Sequence, residues 1–205
     1  MPIKTINFLP LALLLLIGGL SKPLVASSYG AFSLGASNFS FEPVTKEPTV
    51  NYYGVMGGTH FGYRLRNGFG LGLFGQYTPG HTKFLKAVED ATLFIYGIEI
   101  LTILKKVIYF NIRGGAARYS LLHQPTDQNE IQGSWEGTMT SIELGAITNK
   151  KKKNIWQVGL QISNITKAKY KPVAGESSTN SSTRNISQFA LVIKCELSDF
   201  FKRAF

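Results

Sequence analysis

Trp156, Val158, Leu160 and Ile162 are spaced two residues apart, with Gln157, Gly159, Gln161 and Ser163 between them. A period of two belongs to an extended strand with unlike faces, and no helix reproduces it. The same alternation recurs in eight segments, roughly 29–41, 50–65, 69–77, 91–104, 107–121, 135–148, 155–170 and 186–198. Between them lie EPVTKEPT (42–49), RNG (66–68), a stretch at 78–90, KK (105–106), a stretch at 122–134, NKKKKN (149–154) and KPVAGESSTNSSTRN (171–185). Long and short connections alternate without exception. In an up-and-down meander, every long connection then leaves one end and every short one the other. Eight such strands close into the smallest common barrel, whose interior the side chains just fill. Gly114, Gly115, Ala116 and Ala117 interrupt the fifth segment and predict a bulge there.

The N-terminus carries a separate instruction. Lys4 precedes FLPLALLLLIGGL (8–20), and the small residues Ala26, Ser27 and Ser28 follow. A basic start, a short apolar run and a small-residue exit describe an export signal, expected over 1–27, with the barrel over 28–205. The run is too short to be a retained transmembrane helix, which needs roughly 20 apolar residues. Export bears on the charge of +10, which falls to +8 once Lys4 and Lys22 leave. A basic chain invites nucleic acid, but an exported one does not meet it. Lys150, Lys151, Lys152 and Lys153 hold half of that excess, and membrane phosphates are the anionic neighbours expected for them. The single cysteine, Cys195, excludes an internal disulfide framework.

Alternation reveals two faces without saying which looks outward. A secreted lipocalin-like barrel turns its apolar set inward around a ligand, whereas a membrane barrel turns it toward lipid. The other face decides the expectation. Phe94, Tyr96, Ile98 and Ile100 stand opposite Glu99; Ile108, Phe110 and Ile112 oppose Tyr109, Asn111 and Arg113. Ile142 and Leu144 oppose Glu143; Phe189, Leu191 and Ile193 oppose Lys194 and Glu196; Phe61, Tyr63 and Leu65 oppose His60 and Arg64. Arg64, Arg113 and Lys194 thus balance Glu99, Glu143 and Glu196 on a face otherwise rich in Gly, Ser, Gln and Asn. Buried charge is costly unless paired, so a sign-balanced set suits a closed lumen.

Aromatics gather near the segment ends: Tyr52, Tyr53, Tyr63, Phe69, Tyr77, Tyr119, Trp135, Trp156 and Tyr170. Tyr63, Tyr77, Trp135 and Trp156 are the expected girdle residues, since indole and phenol rings favour the headgroup zone. NKKKKN is then a turn at the lipid–water boundary beside Trp156.

With its eight-segment meander, its hairpin YYGVMGGTHFGYRLRNGFGLGLFGQY (52–77) and its terminal Phe205, the chain resembles the OmpA-like family of small outer-membrane barrels. The resemblance is one of architecture; no family motif matches residue by residue, and Asp199 and Arg203 interrupt the final alternation. It implies an eight-stranded antiparallel transmembrane β-barrel in the bacterial outer membrane. The implied partners are outer-membrane lipids and lipopolysaccharide, the insertion machinery that reads a terminal aromatic, and a surface ligand met through four external loops. A monomer is expected, with no nucleic acid and no cofactor or metal.

Catalytic motifs are missing. Lipid A deacylase barrels place His and Ser two residues apart on one strand face, whereas His60 is followed by Phe61 and Gly62, and His123 by Gln124 and Pro125. His81 and His123 are expected in external loops, and His60 as a hydrogen-bonder in the lumen. A structural or surface-interaction protein is the leading expectation. A small-solute channel, a secreted ligand-binding barrel and an enzyme with an unfamiliar lumen site are the alternatives.

Overall fold

The computed structural model describes residues 26–42, 50–65, 68–81, 90–123, 130–150, 154–171 and 183–198. The expected signal segment lies outside them except for Ala26 and Ser27, as do Lys151 to Lys153 and the tail 199–205 with Phe205. Eight strands follow one another: β1 (Ala26–Glu42), β2 (Val50–Leu65), β3 (Phe69–His81), β4 (Asp90–Leu104), β5 (Ile108–His123), β6 (Glu130–Lys150), β7 (Asn154–Lys171) and β8 (Thr183–Ser198). Each pairs antiparallel with its neighbours in sequence, and β1 returns to β8 from Tyr29↔Ser198 to Glu42↔Asn185. The result is a closed up-and-down barrel with no free edge to recruit another chain. Residues 43–49, 82–89, 124–129 and 172–182 connect strands at one end, the long-loop end. Residues 66–68, 105–107 and 151–153 connect them at the other, the short-turn end.

The faces sort as their chemistry requires. Leu71, Leu73, Phe94, Ile98, Ile142, Leu160, Ile162, Phe189 and Leu191 all point outward, each 40 % exposed or more. Glu99, Arg113, Glu143, Lys194 and Glu196 point inward and are almost wholly buried. A water-soluble barrel reverses this arrangement.

Several boundaries differ from expectation at the long-loop end. β3 runs through Pro79 to His81, and β6 begins at Glu130, because β4 and β5 offer paired partners that far: Pro79↔Thr92, His81↔Asp90 and His123↔Glu130. His81 and His123 therefore close strands β3 and β5 instead of lying in loops. The bulge expected at 114–117 is absent, since the register there is unbroken against both β4 and β6. Gly115 instead faces Gly97 where the two backbones come close, and a Cβ on either would press into the other strand. The register shifts occur at Leu121/Leu122, Glu136/Thr138, Ile147/Asn149 and Ile165/Ala168.

At the short-turn end, Val107 donates its N–H to the Leu104 carbonyl at 3.1 Å across a two-residue turn. Lys105 and Lys106 occupy it with φ of 49° and 61°. Both central residues are left-handed, a geometry that favours Asn-Gly and suits the right-handed twist of the flanking strands. Lysine at either place is held against its backbone preference.

Leu160 stands outward at mid-strand between Leu144 and Leu191. Leu160→Arg is expected to lower folding stability by about 2–4 kcal/mol in a bilayer. Guanidinium unfolding of vesicle-inserted protein measures this; a change near zero contradicts a lipid-facing Leu160.

Candidate functional site in the barrel interior

The interior divides into two layers. Toward the long-loop end it is apolar and aromatic: Phe39, Phe41, Tyr52, Leu93, Ile95, Tyr119, Trp135, Met139, Ile165 and Ile186 form one buried cluster. Phe39 stacks on Tyr52 with ring centroids 5.3 Å apart, Phe41 on Tyr119 at 4.8 Å, and Trp135 meets Phe41 edge-on at 5.1 Å. Rings of this size fill a narrow bore with few rotamers to immobilise.

One expected girdle residue, Trp135, is corrected here, and two further aromatics near the strand ends share its burial. Trp135, Tyr52 and Tyr119 are buried inside the barrel, not exposed at a membrane boundary. Their parity already said so: Trp135 lies an even number of steps from Glu143, Tyr52 from His60, and Tyr119 from Arg113. Tyr170 is different. It shares parity with outward Trp156, yet it packs against the interior cluster with its ring 5.2 Å from Trp135. Lys167, at φ 53°, inserts an extra residue between Ile165 and Ala168 and reverses the alternation. Tyr63, Tyr77 and Trp156 do point outward, and Tyr63 and Trp156 lie near the short-turn end.

Below the aromatic layer lies the polar one. Glu99 on β4 and Arg113 on β5 are register partners, and the Arg113 Nε donates to Glu99 Oε2 at 3.2 Å. The same guanidinium donates through Nη1 to Gln161 Oε1 at 2.7 Å and through Nη2 to Glu143. Its carbon lies 5.3 Å from the centre of the Phe74 ring, so one face is covered by π-electrons. Arg113 thus joins two carboxylates across three strands in its fork geometry, which lysine cannot imitate.

Each carboxylate is otherwise occupied. Glu99 accepts from the Tyr29 hydroxyl at 3.0 Å and the Asn111 amide at 2.8 Å, and its Oε2 lies 2.9 Å from His60 Nδ1. Glu143 Oε1 accepts from Tyr109 at 2.5 Å and pairs with Lys194 Nζ at 3.2 Å. Lys194 also lies 5.1 Å above the Tyr109 ring. Toward the short-turn end a second group forms, in which Arg64 pairs with Glu196, and Gln157 donates to the same carboxylate at 3.1 Å. Gln76 and Gln161 exchange hydrogen bonds at 3.1 and 3.0 Å, while Gln188 donates to Ser37 and Thr78.

The six expected ionic residues therefore fall into two adjoining groups, each with both signs. Sequence reasoning missed Tyr29, Tyr109, Gln76 and Gln161 as members, although their strand parity placed them on this face.

One substructure has the form of a catalytic relay. Ser33 Oγ lies 3.1 Å from His60 Nε2, and His60 Nδ1 lies 2.9 Å from Glu99. Serine, imidazole and carboxylate in line are the elements of nucleophilic catalysis. All three are buried, with Ser33 and Glu99 each 2 % exposed and His60 0 %. Glu99 is already engaged by Arg113, Asn111 and Tyr29. The arrangement is a buried hydrogen-bonded chain that joins β1, β2 and β4.

No protein-family model matches the chain, and no curated protein matches it. Solved structures do. Neisserial surface protein A aligns with a TM-score of 0.58 at 10% identity, covering 84% of this chain and 97% of that one. Ail, the attachment invasion locus protein of Yersinia pestis, aligns with a TM-score of 0.53 at 11% identity, over 82% of this chain and 98% of its own. The fold is that of the small eight-stranded outer-membrane β-barrels. With so little identity, the likeness lies in the strands and their closure.

Arg113→Met removes the group shared by Glu99 and Glu143 and leaves buried carboxylates uncompensated, a loss of about 3–5 kcal/mol. Adding Glu143→Gln is expected to restore part of it. Thermal loss of the heat-modifiable folded band on a gel reads both; an unaffected single variant contradicts the pairing.

Proposed function

We propose that this chain is a non-enzymatic outer-membrane barrel that presents its four long connections at the cell surface, with a closed interior. The carrying observation is the two-layer filling: an aromatic plug under the long loops, then a charge-balanced network below it. An eight-stranded bore has little spare width, and here it holds Phe39, Tyr52, Tyr119, Trp135, Arg113 and Lys194 together. The outward apolar wall supports a bilayer as the surrounding solvent. The burial of Ser33 and His60 supports the absence of hydrolysis.

The surface reading rests on what remains accessible. Loops on a rigid scaffold carry recognition more often than the scaffold does. The long connections contain Lys46, Lys83 and Lys86 against Glu47, Glu89, Asp127 and Glu176. The solved structure of Ail holds sucrose octasulfate, a heparin analogue. A near-neutral set of loops is poorly matched to such a polyanion, which favours a neutral or mixed-charge partner for this chain. Segment 172–182, rich in Ser, Thr and Asn, is the proposed contact surface. Lipopolysaccharide around the barrel and the insertion machinery that assembles it belong to the same reading, with a monomer as the working unit.

Planar-bilayer recording of the inserted protein is expected to show no stable single-channel steps. Truncating both layers at once, with Arg113→Ala and Lys194→Ala combined with Tyr119→Ala and Trp135→Ala, is expected to introduce them where the barrel survives. Large, steady conductance from the unaltered chain favours the channel reading instead.

A further inference from the structure

Charge along this chain is sorted by end. The short connections and the strand residue beside them carry Arg66, Lys105, Lys106, Lys150, Lys151, Lys152 and Lys153, with no acid among them. The long connections are nearly neutral, and the interior network balances three bases against three acids. The surplus of positive charge therefore gathers where the short turns are.

Three features give that surplus a purpose beyond solubility. First, Lys105 and Lys106 sit at φ of 49° and 61°, where Asn or Gly is the unstrained choice, so charge is kept at a conformational cost. Second, the turn is apolar as well as basic: Leu104, Val107 and Ile108 beside the lysines are each 46 % exposed or more. Trp156 and Tyr63 stand outward near the same end. A docking site for a water-soluble partner does not need such rings and aliphatic groups at its rim, whereas an interface between hydrocarbon and headgroups does. Third, the turns join β2 to β3, β4 to β5 and β6 to β7, so they recur at every second strand around the ring. A circle of basic turns suits a planar leaflet better than a one-sided partner.

We propose that the short-turn end is a basic collar that gathers anionic phospholipids from the leaflet it faces. Lysine ammonium groups meet the phosphates while Trp156, Tyr63, Leu104 and Val107 sit among the upper acyl segments. The attraction is Coulombic, additive over lysines close to the surface and weakened by salt. The proposal rests on the membrane reading above and specifies which lipid that membrane supplies at this end.

Trp156 is a built-in reporter, because the other tryptophan, Trp135, is interior and can be replaced. Full-length mature protein carrying Trp135→Phe is inserted into phosphatidylcholine vesicles containing a minority of phosphatidylglycerol. Bromine is placed on the chains of one lipid or the other. At equal mole fraction, brominated phosphatidylglycerol is expected to quench Trp156 as if enriched about fivefold near it, the factor that one lysine's surface attraction supplies. Molar salt is expected to abolish the preference, as is replacing Lys105, Lys106 and Lys150 to Lys153 with Gln. Equal quenching by both lipids, or a preference that survives the glutamines, overturns the collar. If quenching is equal and the chain instead co-sediments with purified peptidoglycan through those lysines, the wall polymer replaces lipid as the partner. Failure of either brominated lipid to quench Trp156 counts against membrane insertion itself, a separate outcome.

Discussion

Closing eight strands into a ring leaves a bore that side chains must fill, and every other feature of this protein answers to that geometry. No edge remains unpaired, so the ladder satisfies the backbone, and alternate residues have only two destinations. Whatever points inward must pack against the opposite wall or find a charge partner there. Arg113 does both: its fork binds Glu99 and Glu143, while its face lies on Phe74. Remove the narrowness, and the same residues become a solvated pore lining.

The interior is not uniform along its axis, and the difference has a physical basis. Under the long loops the side chains are rings, which exclude water and need few polar partners. Farther down they are carboxylates, amides and bases, which can be buried because the charged groups among them are paired across the bore. The Ser33–His60–Glu99 alignment follows from such crowding of polar groups. Proximity produces relay geometry even where no substrate can enter. Geometry and access are separate requirements, and Ser33 and His60 combine the first with burial.

The exterior is governed by two solvents. Between the turn rims it presents aliphatic and aromatic groups suited to hydrocarbon. At the short-turn rim it changes over a few residues to lysine, and the tightest turn accepts two left-handed lysines. The basic excess that first raises the thought of nucleic acid is, along the closed strands, concentrated in the short connections, while the long connections and the interior are close to neutral.

Much of this was legible in the residues. The period of two, the strict alternation of long and short connections and the pairing of ionic residues opposite apolar ones determined an eight-stranded meander with a charged lumen. Which residues share a face followed from parity alone, because a strand has no other freedom while its register is unbroken, and the balanced ionic set said which face looks inward. Parity also contained the burial of Trp135, Tyr52 and Tyr119, where preference for aromatic girdles pointed the wrong way. Tertiary structure alone decided the rest. The extra residue at Lys167 turned Tyr170 inward, since a bulge reverses alternation and only the partner strand defines a bulge. The close approach of Gly97 and Gly115, the extension of β3 through Pro79 and the choice of Arg113 as the shared partner depend on which strands meet at which height. Contacts between residues far apart in the chain have no period for a sequence to display.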